Sequence, residues 1–308
     1  MGITELLIRY RRFLKRRNCS FHTVKNYMSI LGYFTTWNQI SLSLVTHKEI
    51  GVYVGHLLRT RKPKTINCHL EAVRAFFDYL IDEEGMALIN PVRRGHKLRL
   101  PRPLPKHLKD DQIPEFFKTI KDERDRAMFM IMLRCGLRVD EVAHLTMNGI
   151  EYRKRTIFVS NGKGRKDRIV YISDDAQAVL QEYLKKRESS EENRVFLVQK
   201  GPLTGKPISV RGIQKRIEYY AKKSSIAVSC HHLRHTMATQ LLNADADIVT
   251  IQDLLGHSRV TTTQRYCRVS NLKVQRDYFK SITLVIQRSQ QAAVDGLGMN
   301  QFIPTAVK

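Results

Sequence analysis

Pro91-Val92-Arg93-Arg94-Gly95-His96-Lys97-Leu98-Arg99-Leu100-Pro101-Arg102-Pro103-Leu104-Pro105 holds four of the nine prolines of the chain, interleaved with five basic residues. Proline lacks a backbone donor and biases its predecessor away from helix, so neither a helix nor a central strand runs through this stretch. It predicts a basic, proline-rich linker over 87–108, a stiff strap between two domains. Arginines spaced along an extended segment suit a phosphate backbone and serve solubility equally well.

N-terminal to the linker, residues 1–86 read as four helices. Val24, Tyr27, Met28, Leu31 and Phe34 recur with helical spacing, as do Ile66, Leu70, Val73, Phe77 and Leu80. Thr46 and Glu49 form a T-x-x-E capping box ahead of an apolar-faced stretch that reaches Leu58, and Ile3 to Arg17 supplies the fourth segment. Because the aromatic and Met positions keep this period, they are assigned to the core of the bundle and not to a base-stacking surface.

Beyond the linker the pattern is mixed, which predicts an α+β domain over 109–290. Helices are expected at 111–121, 123–134, just after Arg138, and at 174–187, 210–223, 232–242, 248–255 and 271–290. Among them, Thr156 to Ser160 and Arg168 to Ser173 are β-branched and aromatic runs separated by Asn161-Gly162-Lys163-Gly164, a turn sequence. The expectation is an antiparallel β-hairpin with Lys163 at its tip. Residues 291–308 read as a loose tail. The fold class is therefore mainly α with a small antiparallel hairpin or sheet.

With 53 Lys+Arg against 29 Asp+Glu, the 308-residue chain carries +24 at neutral pH. The excess is shared: residues before Pro105 contribute +11 and the remainder +13. Cation excess on a folded surface repels itself unless a polyanion balances it, so nucleic acid is the expected class of partner and a membrane is not. No apolar run reaches the length needed to span a bilayer, and Met1 to Arg12 has no signal-peptide core, which predicts a cytoplasmic protein. Five cysteines without a C-x-x-C pair predict reduced thiols and neither a disulfide framework nor a cysteine zinc site.

Four short sequences in the second domain carry the chemistry. In chain order they are Cys135-Gly136-Leu137-Arg138-Val139-Asp140-Glu141, Gly162-Lys163-Gly164-Arg165-Lys166-Asp167-Arg168, His231-His232-Leu233-Arg234-His235, and Leu254-Leu255-Gly256-His257 with Thr261-Thr262-Thr263-Gln264-Arg265-Tyr266. Each alone is weak. Together, in this order, they make nearly the whole chain resemble the tyrosine recombinases, the group of Xer proteins and phage or transposon integrases. One departure is Cys135, which stands where that family commonly has a small or hydroxyl residue.

The resemblance implies a helical core-binding domain followed by a catalytic domain. It also implies a catalytic set of Arg138, Lys163, His231, Arg234, His257 and Tyr266, supported by Glu141 and His235. Residue chemistry agrees with these roles. Two guanidiniums can each grip two non-bridging phosphate oxygens while staying charged. A phenol with a reference pKa near 10 needs a cationic pocket and a proton acceptor, here His231, before Tyr266 can attack. By similarity the leaving 5′-oxygen takes its proton from Lys163, and Glu141 braces Arg138.

The expected activity is site-specific DNA cleavage and rejoining through a 3′-phosphotyrosyl intermediate, with the two domains clamped around the duplex. A homotetramer is expected on two sites, joined by exchange of the 271–290 helix, in a bacterial or archaeal nucleoid. No arm-binding domain is expected ahead of the four helices. Two rivals share the scaffold: a type IB topoisomerase and a non-catalytic DNA-binding protein. No cofactor or metal is expected: Gly162-Lys163-Gly164 lacks P-loop spacing, no carboxylate cluster suggests two-metal catalysis, and His232 replaces the glutamate of a zinc helix between His231 and His235.

Overall fold

The computed structural model describes residues 2–101, 105–160, 167–187 and 191–256, together with Tyr278 and Ile282. The chain divides into two compact units, Met1–Arg102 and Pro103–Lys308.

The first unit packs four helices: α1 (Ile3–Arg16), α2 (Phe21–Trp37), α3 (His47–Leu58) and α4 (Pro63–Asp82). Their starts follow local chemistry. Ser20 accepts the Thr23 N–H at 3.1 Å to open α2. The capping box at α3 closes as expected, with Glu49 accepting the Thr46 N–H at 2.9 Å and the Thr46 hydroxyl accepting the Lys48 N–H at 3.2 Å. Pro63 occupies the first turn of α4, where a missing donor costs nothing. Leu6, Tyr10 and Leu14 of α1 meet Val24, Leu31 and Phe34 of α2 over the buried stripe of α4 from Ile66 to Leu80. Tyr27 and Met28 pack partly buried against the same core, so the periodic aromatic and Met positions are interior, as their spacing predicts.

The linker is fastened further than its prolines suggest. The Asn67 side chain brackets the Leu98 backbone, donating to its carbonyl and accepting its N–H, both at 2.9 Å. Asn90 donates to the Arg74 carbonyl at 2.9 Å and to Asp78 at 2.6 Å, Val92 is buried, and a 3-10 turn spans Arg94–His96. Two asparagines thus supply the partners that an irregular backbone cannot find within itself, and the segment up to Leu98 lies along α4 instead of running free.

The second unit is built around α6 (Glu123–Arg134), whose residues Ala127 to Leu133 are all buried. Around it lie α5 (Gln112–Lys118), α7 (Val139–Ala143), α8 (Asp174–Lys186), α9 (Val210–Ser224) and α10 (Cys230–Asn243). Asp125 of α6 is wholly buried. It accepts from Arg124 at 2.7 Å, Arg216 at 2.5 Å and the Tyr220 hydroxyl at 3.2 Å, which ties α9 to α6. Leu108, in the same core, donates its N–H to the Thr236 hydroxyl at 2.9 Å. Met237 and Leu242 of α10 form a smaller cluster with Ile251 and Leu255 of α11 (Ile248–Leu255).

Among the described residues the sheet has three antiparallel strands: β1 (Ile150–Glu151), β2 (Thr156–Val159) and β3 (Arg168–Tyr171). The β2–β3 pair is the expected hairpin, with Ile157 opposite Val170 on the buried face and Phe158 opposite Ile169 on the outer face. β1 is an addition to the expected pair, since two residues carry too little alternation to be read from sequence. The helix expected to reach residue 121 ends at Lys118, and α10 starts at Cys230, two residues earlier than its periodicity indicates, because Ser229 caps it. The hairpin tip with Lys163, the expected 271–290 helix apart from Tyr278 and Ile282, and the tail 291–308 lie outside the described residues.

Asn67→Ala removes the bracket on Leu98. The expected outcome is a loss of about 1–2 kcal/mol from the first unit and faster tryptic cleavage at Arg93, Arg94 and Lys97, read by a denaturant melt and by timed proteolysis.

Candidate active site

The turn that presents Arg138 depends on glycine. Gly136 has φ +65°, a left-handed conformation, and a Cβ there would sit 2.9 Å from the Met237 sulfur and 3.2 Å from Leu255 Cδ2. The chain then buries Leu137 and reaches Arg138, the N-cap of α7. Glu141, three residues on, accepts the Arg138 backbone N–H at 2.7 Å and its guanidinium Nη1 at 2.7 Å. A G-L-R-x-x-E sequence therefore folds into a helix start in which one carboxylate holds the arginine at both ends.

The same carboxylate takes a second guanidinium. Arg168, the first residue of β3, donates Nη1 to Glu141 Oε1 at 2.7 Å and Nη2 to Oε2 at 2.8 Å, a bidentate fork. All three side chains are largely sequestered: Glu141 is 5% exposed, Arg168 9% and Arg138 23%. Burial pushes the Glu141 carboxyl up, but Arg168 and Arg138 together outweigh it and hold the group at about 2.

The third component is the C-terminus of α11. Asp247 caps its start by accepting the Val249 N–H at 2.9 Å, and Gly256 ends it in the left-handed conformation. Its last carbonyls have no partner within the helix and lie at the negative end of its dipole, so cations are favoured there. Arginines supply the partners. Arg168 Nε donates to Leu254 O at 2.9 Å, and Arg138 Nη2 donates to Leu255 O and Gly256 O, each at 3.1 Å. Arg234 Nη2 donates to the same Leu255 carbonyl, while its Nη1 donates to Gly136 O.

Arg138 and Arg234, distant in sequence, thus share one acceptor. Arg234 is only 2% exposed, so its guanidinium is fixed by the protein. Arg138 keeps Nε and one Nη1 hydrogen without a partner among the described residues. Among the described residues three guanidiniums face one carboxylate, a positive balance that suits an anion.

α10 adds two histidines. Because the helix starts at Cys230, His231 lies in its first turn, exposed, three residues before Arg234. Its ring packs edge-on against His235, with centroids 4.1 Å apart. Among the described residues no group of His, Cys, Asp and Glu has the arrangement of a metal site. Burial pushes the Cys135 and Cys230 thiols up to about 12, so neither is a ready nucleophile.

Of the residues singled out from sequence, Arg138, Glu141, Arg234, His231 and His235 are described, and the first three are brought together around α11. Lys163, His257 and Tyr266 lie outside the described residues. Arg168 received no role from sequence, although a signal was present: it alternates with Val170 and Ile172 on the inward face of a strand, where an arginine needs a buried partner.

Residues 106–273 match the phage integrase family, and residues 6–85 match the N-terminal SAM-like domain of phage integrases. The chain belongs to the phage integrase family. It is a tyrosine recombinase, of the class of enzymes that transfer DNA strands. It is 31% identical over 298 residues to tyrosine recombinase XerC of Myxococcus xanthus, spanning 90% of this chain and 97% of that protein. Tyrosine recombinase XerA of Thermococcus kodakarensis is 30% identical over 274 residues, spanning 86% and 91%. The fold resembles the Tn1549 transposon integrase solved in complex with transposon right end DNA, with TM-score 0.73 and 20% identity over 92% of this chain and all of that one. The first unit is accordingly the SAM-like domain and the second the catalytic domain.

Glu141→Gln removes the charge on which two guanidiniums converge, and the expected loss is roughly 3 kcal/mol. The Glu141 pKa is depressed in the folded protein, so its contribution is full above the ordinary value of 4.5 and disappears as pH falls toward 2. Stability melts of both proteins from pH 6 to pH 2 are expected to converge at the acid end.

Proposed function

We propose that this recombinase cleaves and rejoins DNA through a 3′-phosphotyrosyl link formed by Tyr266. The observation that supports the reading most is the single Leu255 carbonyl shared by Arg138 and Arg234. Two fixed guanidiniums held this close suit the two non-bridging oxygens of one phosphodiester. Charge preorganised for a pentavalent phosphorus is commonly the largest part of the rate enhancement.

The steps assigned to the chain balance without a metal or a nucleotide. Tyr266 attacks phosphorus as His231 accepts the phenolic proton, the bond to the 5′-oxygen breaks, and Lys163 protonates that oxygen. His257 donates to the phosphoryl oxygens. The tyrosyl ester conserves the phosphodiester bond energy, so the 5′-hydroxyl of a second strand reverses the attack. Glu141 and His235 support the arginines from behind. A type IB topoisomerase would use the same chemistry on one strand, and it is the likeness to tyrosine recombinases over most of the chain that disfavours the topoisomerase and non-catalytic readings.

DNA is the partner for the SAM-like domain as well. Arg59, Arg61, Lys62 and Lys64 are all exposed around the start of α4, a cluster fitted to phosphates. The assembly proposed is four protomers on two sites, with residues 271–290 of each docked into a neighbour, acting in the cytoplasm where its DNA is found.

The test lets the protein select its own site. Protein incubated with sheared genomic DNA of its source in EDTA is expected to yield SDS-stable complexes whose DNA shares one sequence. Tyr266→Phe is expected to yield none, and Arg138→Ala or Arg234→Ala on the order of a hundredfold fewer. Equal yields from Tyr266→Phe would refute the covalent route. Truncation after Val269 is expected to abolish tetramers on the recovered site in a native gel, and unchanged assembly would remove helix exchange from the proposal.

A further inference from the structure

Arg168 lies where three parts of the site meet. We infer that Arg168 is a positioning residue for strand cleavage, which sets the orientation of Arg138 through Glu141 and fixes the end of α11 from which the chain continues into His257. This rests on the roles proposed above for Arg138, His257 and Tyr266.

Four features of Arg168 carry the inference. Both Glu141 oxygens are occupied by Arg168, at 2.7 and 2.8 Å, so the carboxylate that holds Arg138 can neither rotate nor shift without breaking that fork. The third Arg168 nitrogen, Nε, donates to Leu254 O at 2.9 Å, one residue before the carbonyl that Arg138 and Arg234 share. The fit at Gly256 is close: a Cβ added there would meet Arg168 Cδ at 3.0 Å and its Nε and Nη1 at 3.3 Å. Arg168 also opens β3, five residues after Lys163 in the sequence, so one side chain joins β3 to Glu141 and to α11. Lysine cannot replace it, because an ammonium is a point charge that cannot serve a bidentate carboxylate and a carbonyl together.

Such a residue touches no reacting atom, so its loss acts on the rate of the chemical step and not on DNA affinity. The experiment measures single-turnover covalent-complex formation at saturating DNA, dissociation constants and thermal midpoints. The DNA is a duplex bearing the site recovered by wild-type trapping, nicked just 3′ of the cleaved bond. The proteins are full-length wild type, Arg168→Lys, Gly256→Ala, Arg138→Ala and Tyr266→Phe.

Arg168→Lys is expected to slow covalent-complex formation by about tenfold to a hundredfold, with Kd changed by less than about twofold. Gly256→Ala, whose methyl group crowds the Arg168 side chain and strains the left-handed end of α11, is expected to slow it in the same direction. It decides the matter if Arg168→Lys proves unfolded at the assay temperature. A rate within twofold of wild type for the folded Arg168→Lys, or for Gly256→Ala where that variant decides, with Tyr266→Phe and Arg138→Ala inactive, overturns the role of Arg168 alone. Absence of a Tyr266-dependent complex in the wild type overturns the underlying reading and this inference with it.

Discussion

The catalytic domain depends on one buried carboxylate. Glu141 receives the guanidiniums of Arg138 and Arg168 and the backbone N–H of Arg138, and its burial is tolerable only because every one of these donors is present. Removing any one of them weakens the compensation of a buried charge that the others share, so the group acts as a unit. The cost of desolvating a carboxylate is met by interactions that also hold a positive centre rigid. A site intended for a phosphate needs this, since a flexible arginine would have to be ordered during the reaction itself.

The C-terminus of α11 completes that unit from the other side. Helix ends leave carbonyls without partners, and here three arginines supply them. The helix end orders the arginines, and the arginines in turn fix where the chain leaves the helix. Gly256 makes the close approach possible by lacking a Cβ, as Gly136 does on the opposite wall. Two glycines and one carboxylate thus bring distant segments within hydrogen-bond reach of each other.

Much of this is legible in the residues alone. The four helices of the SAM-like domain follow from period, capping and Pro63, and the β2–β3 pairing follows from β-branched runs flanking an Asn-Gly sequence. Arg138, Glu141 and Arg234 stand out in short motifs whose residue types suit phosphate chemistry. Other features are not readable, for physical reasons. Asn67 and Asn90 look like ordinary polar residues until the linker lies beside them. β1 is too short to show alternation. Arg168 can be noticed as an inward-facing charge, but its partner is on another element.

Sequence by itself determined the local choices: where helices lie to within a few residues, which faces are apolar, where proline divides the chain, and which side chains can bind phosphate. These depend on neighbours a few residues away, and that information is written contiguously. Tertiary structure alone decided that Glu141 serves two arginines, that Arg138 and Arg234 meet at the Leu255 carbonyl, and that Arg168 joins the hairpin to α11. Those outcomes depend on distances between segments far apart in the chain. Such distances arise only when the core around α6 packs and the ends of separate elements are forced into the same small volume.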